Sequence, residues 1–286
     1  CLGIEPTDST ATAAEKIGIK VIREFFTEDF SNQLISDGLM ADLVIGNNVY
    51  AHVPDINDFT MGMKSILKPE GTITLEFPHL MRLIEMTQFD TVYHEHFSYL
   101  SLYTVCRIFE AAELRVYKVE ELSTHGGSLR IYGCHKNDER KNHDSVKELL
   151  EREKLYKLRD LHTYTSFQSS ADKIKDNLLS FLIKEKNSGK EIIAYGAAAK
   201  GNTLLNYAGV KNDLIRYVCD GSTAKQGLFM PGSHIPIFSP NYLVDKSPDY
   251  IIILPWNLAD EIRDQNIEFE KRGTKFLTAV PDLKIL

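Results

Sequence analysis

The sequence predicts an α/β protein made of two units, each organised around a mostly parallel sheet. Two patterns carry this reading. Short apolar runs alternate with helix-spaced segments along residues 1–135, and again along residues 188–286, as strands joined by helical crossovers do. Between them, residues 136–187 are highly charged but helix-spaced, with Leu149, Leu150, Ile174, Leu178 and Leu182 on one apolar face. That stretch reads as a helical connector packed against a domain. A length of 286 residues also exceeds the usual size of one hydrophobic core.

The elements follow in order. Cys1–Glu5 reads as a strand end with an acidic residue at its tip, and Pro6–Ile17 as a helix with Pro, Thr and Ser at its start. Lys20–Phe26 and Ala41–Gly46 are the next strands. Asp55–Leu67 is a helix with Asp at its head and Lys68-Pro69-Glu70-Gly71 at its tail. Gly71–Pro78 is a further strand, followed by a short helical stretch over His79–Gln88 and a helix over Ser101–Ala112. Arg115–Glu121 and Ser128–His135 pair as an antiparallel hairpin. The second unit begins with the strand EIIAYG at Glu191. It continues through a loop and helix over 197–209, the strand LIRYVCD, the strand YIIILPWN and a last strand over Lys275–Val280.

Composition excludes several classes. The net charge of −7 argues against a general nucleic-acid binder, which needs a basic face. No apolar run approaches the ~20 residues of a membrane span. The four cysteines are far apart and show no CxxC spacing, so neither zinc nor a disulfide framework is indicated within this sequence. A cytoplasmic monomer acting on a small molecule is expected.

The densest chemistry lies in Tyr93–Tyr99, YHEHFSY, which holds two histidines, a carboxylate, two phenols and a hydroxyl. Such a set is costly in a packed core, because each buried polar group needs a partner. It suits a site that moves protons, since imidazole titrates near neutral pH and a carboxylate or phenol can orient it. Two blander readings compete: a metal pair on the HxH spacing, for which no further ligands lie nearby, and a polar helix cap at the surface.

Three loops look like binding elements. Gly196-Ala197-Ala198-Ala199-Lys200-Gly201-Asn202-Thr203 follows a strand and opens a helix; small residues let backbone approach a ligand, and Lys200 could add a charge for a phosphate. It is neither a Walker loop nor a GxGxxG fingerprint, and a close-packed strand-to-helix turn is the competing reading. Asp220, Lys225-Gln226-Gly227 and the turn around His234 form a second loop, either a cover for a ligand or an ordinary surface loop. Glu5 resembles the acidic residue that binds a ribose in nucleotide folds. With Asn47, Asn48 and His52 it makes one cofactor rim.

Six blocks carry a resemblance: ADLVIGNNVYAHVPDINDF, FPHLMRLIEMTQFDTVYHEHFSYLS, THGGSLRIY, YGAAAKGNTLLNY, KQGLFMPGSHIPI and LPWNLADEI. Together they resemble the sugar C-methyltransferase family, whose members use S-adenosylmethionine to methylate TDP-linked deoxy-ketosugars. The resemblance runs almost end to end. It implies a class I methyltransferase-type Rossmann-like sheet over 1–135, the connector, and a Rossmann-like nucleotide-sugar domain over 188–286. It also implies a cysteine-ligated zinc module, a first strand and a Gly-rich loop, none of which this sequence contains. The abrupt start at Cys1 is read as the mark of an incomplete N-terminus, and the chain by itself is expected to bind S-adenosylmethionine poorly. AAAK, where the family pattern has Ala-Pro-Ala-Lys, is a small departure.

The implied mechanism is removal of a proton beside the sugar carbonyl, followed by attack of the enolate on a sulfonium methyl. His96 is the expected general base, with Glu95 and Tyr93 orienting it or stabilising the enolate, and His94 and His52 as secondary candidates. The sugar diphosphate is expected at the 196–203 loop. Two other functions remain open from the residues alone: a nucleotide-sugar oxidoreductase using NAD(P), and a non-catalytic nucleotide-binding module.

Overall fold

The computed structural model describes the whole chain, Cys1–Leu286. It divides into two compact units. One comprises Cys1–His79, Phe97–Ser123 and Gly127–Leu155; the other comprises Leu80–His96, Thr124–Gly126 and Tyr156–Leu286. No helix is long and apolar enough to cross a membrane.

The first unit starts with β1 (Leu2–Ile4), α1 (Asp8–Lys16), β2 (Lys20–Ile22) and α2 (Glu28–Ser36), continues with β3 (Ala41–Asn47), α3 (Ile56–Ile66) and β4 (Leu67–Pro78). The chain then passes through α4 (Leu80–Glu85) of the second unit and returns as α5 (Leu102–Ala111), β5 (Leu114–Leu122), β6 (Ser128–His135) and α6 (Asp144–Leu155). β1 and β2 form a separate parallel pair, while the larger sheet runs β3-β4-β6-β5. Only β3 and β4 are parallel there; β6 pairs antiparallel with both neighbours. The expectation of a mostly parallel sheet is corrected here, because the β5–β6 hairpin places its second strand beside β4.

Local chemistry explains the elements. Asp55 caps α3 by accepting the N–H groups of Asn57 and Asp58 at 3.1 and 3.0 Å. Thr27 caps α2, a helix that hydrophobic spacing alone did not reveal. The strand expected over 20–26 ends at Ile22, because Arg23 turns back to make two 2.7 Å bonds to the Glu15 carboxylate. β4 starts earlier than expected, with Leu67 pairing Ala41 ahead of a register shift. Its inward residues Ile73, Leu75 and Phe77 pack with Tyr50, Phe109 and Leu129 in the core. The buried Tyr50 hydroxyl is satisfied by Thr60 Oγ1 at 2.7 Å, and burial raises its pKa.

The second unit holds α7 (His162–Thr165), α8 (Phe167–Asn187), β7 (Ile192–Tyr195), α9 (Ala199–Tyr207), β8 (Val218–Cys219) and β9 (Ile237–Phe238). It ends with β10 (Tyr250–Ile253), α10 (Ala259–Gln265), α11 (Ile267–Lys271), β11 (Lys275–Thr278) and β12 (Lys284–Ile285). The strand order is β12-β11-β10-β7-β8-β9, parallel except for β12. From β7 the chain moves to β8 on one side, while β10 moves to β11 on the other. The crevice beyond the carboxyl ends of β7 and β10 is therefore the topological switch point, where open α/β sheets bind ligands.

Candidate functional site

The histidine segment belongs to the second unit as far as His96. It is pinned ahead of the histidines by buried polar contacts. Gln88 donates its side-chain amide to Gly126 O at 2.8 Å, and Thr91 Oγ1 donates to Gln88 O at 2.7 Å. Asp90 accepts the Trp256 indole N–H at 2.8 Å. His96 follows in a turn whose backbone N–H reaches Tyr93 O at 3.1 Å. Its Nδ1 lies 2.8 Å from Thr91 O. A carbonyl can only accept, so Nδ1 carries the proton and the lone pair of the neutral ring falls on Nε2. The Tyr93 ring stacks on the imidazole at 4.4 Å between centroids, 28° from parallel. Both rings are half-buried, whereas His94 and Glu95 are exposed. A main-chain carbonyl and the aromatic face of Tyr93 thus flank His96, and Tyr93 is one of the two residues, with Glu95, expected to orient it.

The first unit fixes the two ends of this excursion. His79, where the chain leaves, forms an isolated bridge with Leu100, where it returns. The N–H groups of Phe97 and Ser98 both donate to Ala51 O, at 2.9 and 3.2 Å. Glu153, only 3% exposed on α6, accepts His79 Nε2 at 2.8 Å and the N–H groups of Leu102 and Tyr103 at 2.6 and 2.9 Å. One carboxylate therefore clamps the departing strand end and caps the returning helix α5. In the sequence, Glu153 was one more acid in a charged run.

The expected cofactor-rim residues all lie in the first unit. Glu5 directly follows β1; its Oε1 accepts the Thr7 N–H at 2.8 Å, and its own N–H bonds Ile22 O at 3.1 Å. Asn47 ends β3 and Asn48 follows it, both exposed, with Asn48 at φ 55 and its N–H on Glu76 O at 2.8 Å. His52 closes a short turn over Tyr50–His52 and is half-buried. Gly46 is needed just before them, because a Cβ there would lie 2.8 Å from Leu75.

The 196–203 loop sits at the switch point of the second unit. Its glycines serve packing: a Cβ on Gly196, at φ 89, would lie 2.4 Å from Pro255, and one on Gly201 would lie 2.8 Å from Leu254. Both neighbours extend β10, so the glycines bring the two crevice loops together. Ala197 donates its N–H to Asp220 Oδ2 at 2.7 Å, and Lys225 donates to Ala197 O at 2.9 Å. Lys200 reaches across the crevice to Asn257 Oδ1 at 2.6 Å. No side chain caps α9, whose N-cap is Ala198. Asn202 has a buried side-chain oxygen without a hydrogen-bond partner, and Thr203 bonds back to Ala199 O at 3.4 Å. His234 is exposed at φ 58, its N–H on Met230 O at 2.9 Å, and makes no bond to this loop. Asp90, Trp256, Asn257 and Glu153 were not singled out as site residues; each acts through a partner far away in the sequence.

Residues 123–281 match the family described as C-methyltransferase C-terminal domain. The chain is also 33% identical, over 285 residues, to C-methyltransferase NovU of Streptomyces niveus, covering 100% of this chain and 68% of the relative. The chain belongs to the C-methyltransferase family. The enzyme class expected from the resemblance, S-adenosylmethionine-dependent transfer of a methyl group to carbon, is thereby shown, and neither the oxidoreductase nor the non-catalytic module is favoured. Solved structures overlap the methyltransferase only partially. One is a possible histamine N-methyltransferase from Thermotoga maritima, with 19% identity, TM-score 0.38, and 48% of this chain and 72% of that one covered. Another is a complex of the Haloferax volcanii Trm112 activator with a methyltransferase, with 12% identity, TM-score 0.37, and 47% and 71% covered.

Glu5, Asn47 and Asn48, expected at a cofactor rim, carry donor and acceptor groups of the kind a ribose takes. Glu5 uses one carboxylate oxygen on Thr7, and a second oxygen remains to accept from a diol. The side chains of Asn47 and Asn48 can each both donate and accept.

Proposed function

We propose that the methyltransferase alkylates the carbon beside the carbonyl of a TDP-type deoxy-ketosugar, with His96 as the base that generates the enolate. The observation that carries this reading is the commitment of His96 Nδ1 to Thr91 O, which puts the basic lone pair on Nε2. Bound S-adenosylmethionine supplies an electrophilic methyl group on a sulfonium sulfur; Glu5, Asn47, Asn48 and His52 are the residues that would hold it. The region over 1–135 is assigned this cofactor role and residues 188–286 the nucleotide sugar.

His96 Nε2 takes the proton from the sugar carbon. The Tyr93 ring stacked on the imidazole limits its rotation, and the phenol is the group to support charge on the sugar oxygen. Positioning carries much of the rate, because the methyl group must be met in line. The diphosphate lies at the switch point of the second unit, where the N-terminus of α9 and Lys200 attract an anion.

His96→Asn in the full-length gene product tests the base. Turnover is expected to fall about 10²–10⁴-fold, with S-adenosylmethionine affinity by calorimetry nearly unchanged. Turnover near wild type would remove His96 from the role and point to His94 or Tyr93.

A further inference from the structure

The crevice of the second unit contains a charge arrangement that methyl transfer itself does not use. Trp256 is the single tryptophan of the chain. Its indole N–H donates to Asp90 Oδ2 at 2.8 Å, while Lys200 Nζ sits 4.6 Å from the ring centroid. Lys200 also donates to Asn257 Oδ1. Gly126, at φ 87, lets its turn close on the indole, since a Cβ there would lie 2.3 Å from the ring. One aromatic ring thus has an acid at its N–H edge and an ammonium over its face. An anion at that edge enriches the π face, and the face in turn attracts the cation.

Asp90 is 0% exposed, and its Oδ1 has no hydrogen-bond partner. A half-satisfied buried carboxylate is costly, so its presence calls for a role. Burial pushes its carboxyl up to about 6, against the pull of the Trp256 bond and of Lys200. Burial lowers the Lys200 pKa, and Asp90 opposes that shift. Lys200 is the charged group that α9 turns toward Asp90. Tyr207 on the same helix, His125 on the 124–126 turn, and Tyr93, His94, Glu95 and His96 after Asp90 are the other titratable groups on the packed elements.

We propose that Asp90 and Trp256 are positioning residues for Lys200: they hold its ammonium across the crevice between β7 and β10, and the diphosphate of a nucleoside diphosphate draws it off the indole. The ligand half rests on the assignment of Lys200 to the diphosphate. The ammonium exchanges a neutral amide and a π face for an anion, which is the stronger partner. Until then the ammonium is held by Asn257 and the indole face, so little side-chain ordering remains to be done on binding.

Emission from Trp256 reads the arrangement directly in the full-length protein. Without ligand, wild type should show one emission transition between pH 4.5 and 8, roughly centred on the Asp90 titration. Asp90→Asn should abolish it, and Lys200→Met should move its midpoint up by roughly half a unit or more through loss of the nearby positive charge. A transition that survives in Asp90→Asn, or that Lys200→Met leaves in place, overturns the positioning claim whether or not nucleotide binds. Thymidine diphosphate is the second probe. It should change wild-type emission, and Asp90→Asn, with unaltered circular dichroism, should bind it about tenfold more weakly. Equal binding by wild type and Asp90→Asn overturns the inference while leaving the diphosphate site standing. No binding to wild type sinks the ligand half together with the diphosphate assignment, and the ligand-free titration still decides the positioning half.

Discussion

Glu153 offers the sharpest stability test, because one buried carboxylate serves three donors. Glu153→Ala removes the partner of His79 and leaves the N–H groups of Leu102 and Tyr103 uncapped in a site only 3% exposed. Each buried donor left without an acceptor costs about 1–3 kcal/mol, so the loss of all three should cost at least about 3 kcal/mol. Glu153→Gln should cost less, about 1.5–3 kcal/mol, because one amide oxygen can still accept while the amide nitrogen faces a donor. Urea unfolding followed by far-ultraviolet circular dichroism measures both variants. The relevant reading is the earliest transition, with slopes compared so that a changed unfolded state is not mistaken for lost stability. An alanine variant within about 1 kcal/mol of wild type would refute the clamp, since that is the range of ordinary exposed substitutions. If the clamp also fixes the His79–Leu100 stem, Glu153→Gln should lower turnover even at temperatures where it is fully folded.

Three further outcomes follow from the same structure. The Asp90 carboxyl titrates higher folded, near 6, than unfolded, near 3.8, so its stabilising contribution is complete below pH 4 and is lost as pH rises through 6. Denaturation midpoints should fall over that window by the equivalent of about 3 kcal/mol, and Asp90→Asn should flatten the slope; an unchanged slope contradicts the assignment. Lys200→Ala should raise KM for the nucleotide sugar more than it lowers kcat, because a diphosphate contact is made equally in ground and transition states; equal loss in both, with unchanged sugar affinity, would make the loop structural. β3 is an edge strand presenting Leu43 and Ile45 at 52% and 63% exposure, so the 286-residue chain should self-associate and Ile45→Lys should reduce it; light scattering that is equal for both would exclude this edge as the cause.

Much of the fold was legible where local chemistry decides structure. Asp55 marked α3, Ser101 marked α5, and the alternation in 115–121 and 128–135 gave the hairpin that the register confirms. α2 went unread because EDFSNQLIS offers only Phe30, Leu34 and Ile35 as apolar positions, too few for a clear stripe. The site was legible only in its sequence-local parts. Tyr93 and His96 touch one another three residues apart, and Gly196 opens a loop at a strand end. The partners that give those parts their geometry are distant. Asp90 meets Trp256 across 166 residues, and Glu153 meets His79 across 74. The glycines of the 196–203 loop illustrate the limit: their smallness was readable, but Pro255 and Leu254, the neighbours that require it, were not.

The most direct measurement is product analysis. The full-length gene product is incubated with isotopically methyl-labelled S-adenosylmethionine and a panel of TDP-linked deoxy-ketosugars, followed by mass spectrometry and carbon NMR. The account predicts one sugar that gains the labelled methyl on the carbon beside its carbonyl, formed about 10²–10⁴-fold more slowly by His96→Asn. Label on an oxygen or nitrogen, or transfer undiminished in His96→Asn, would contradict it.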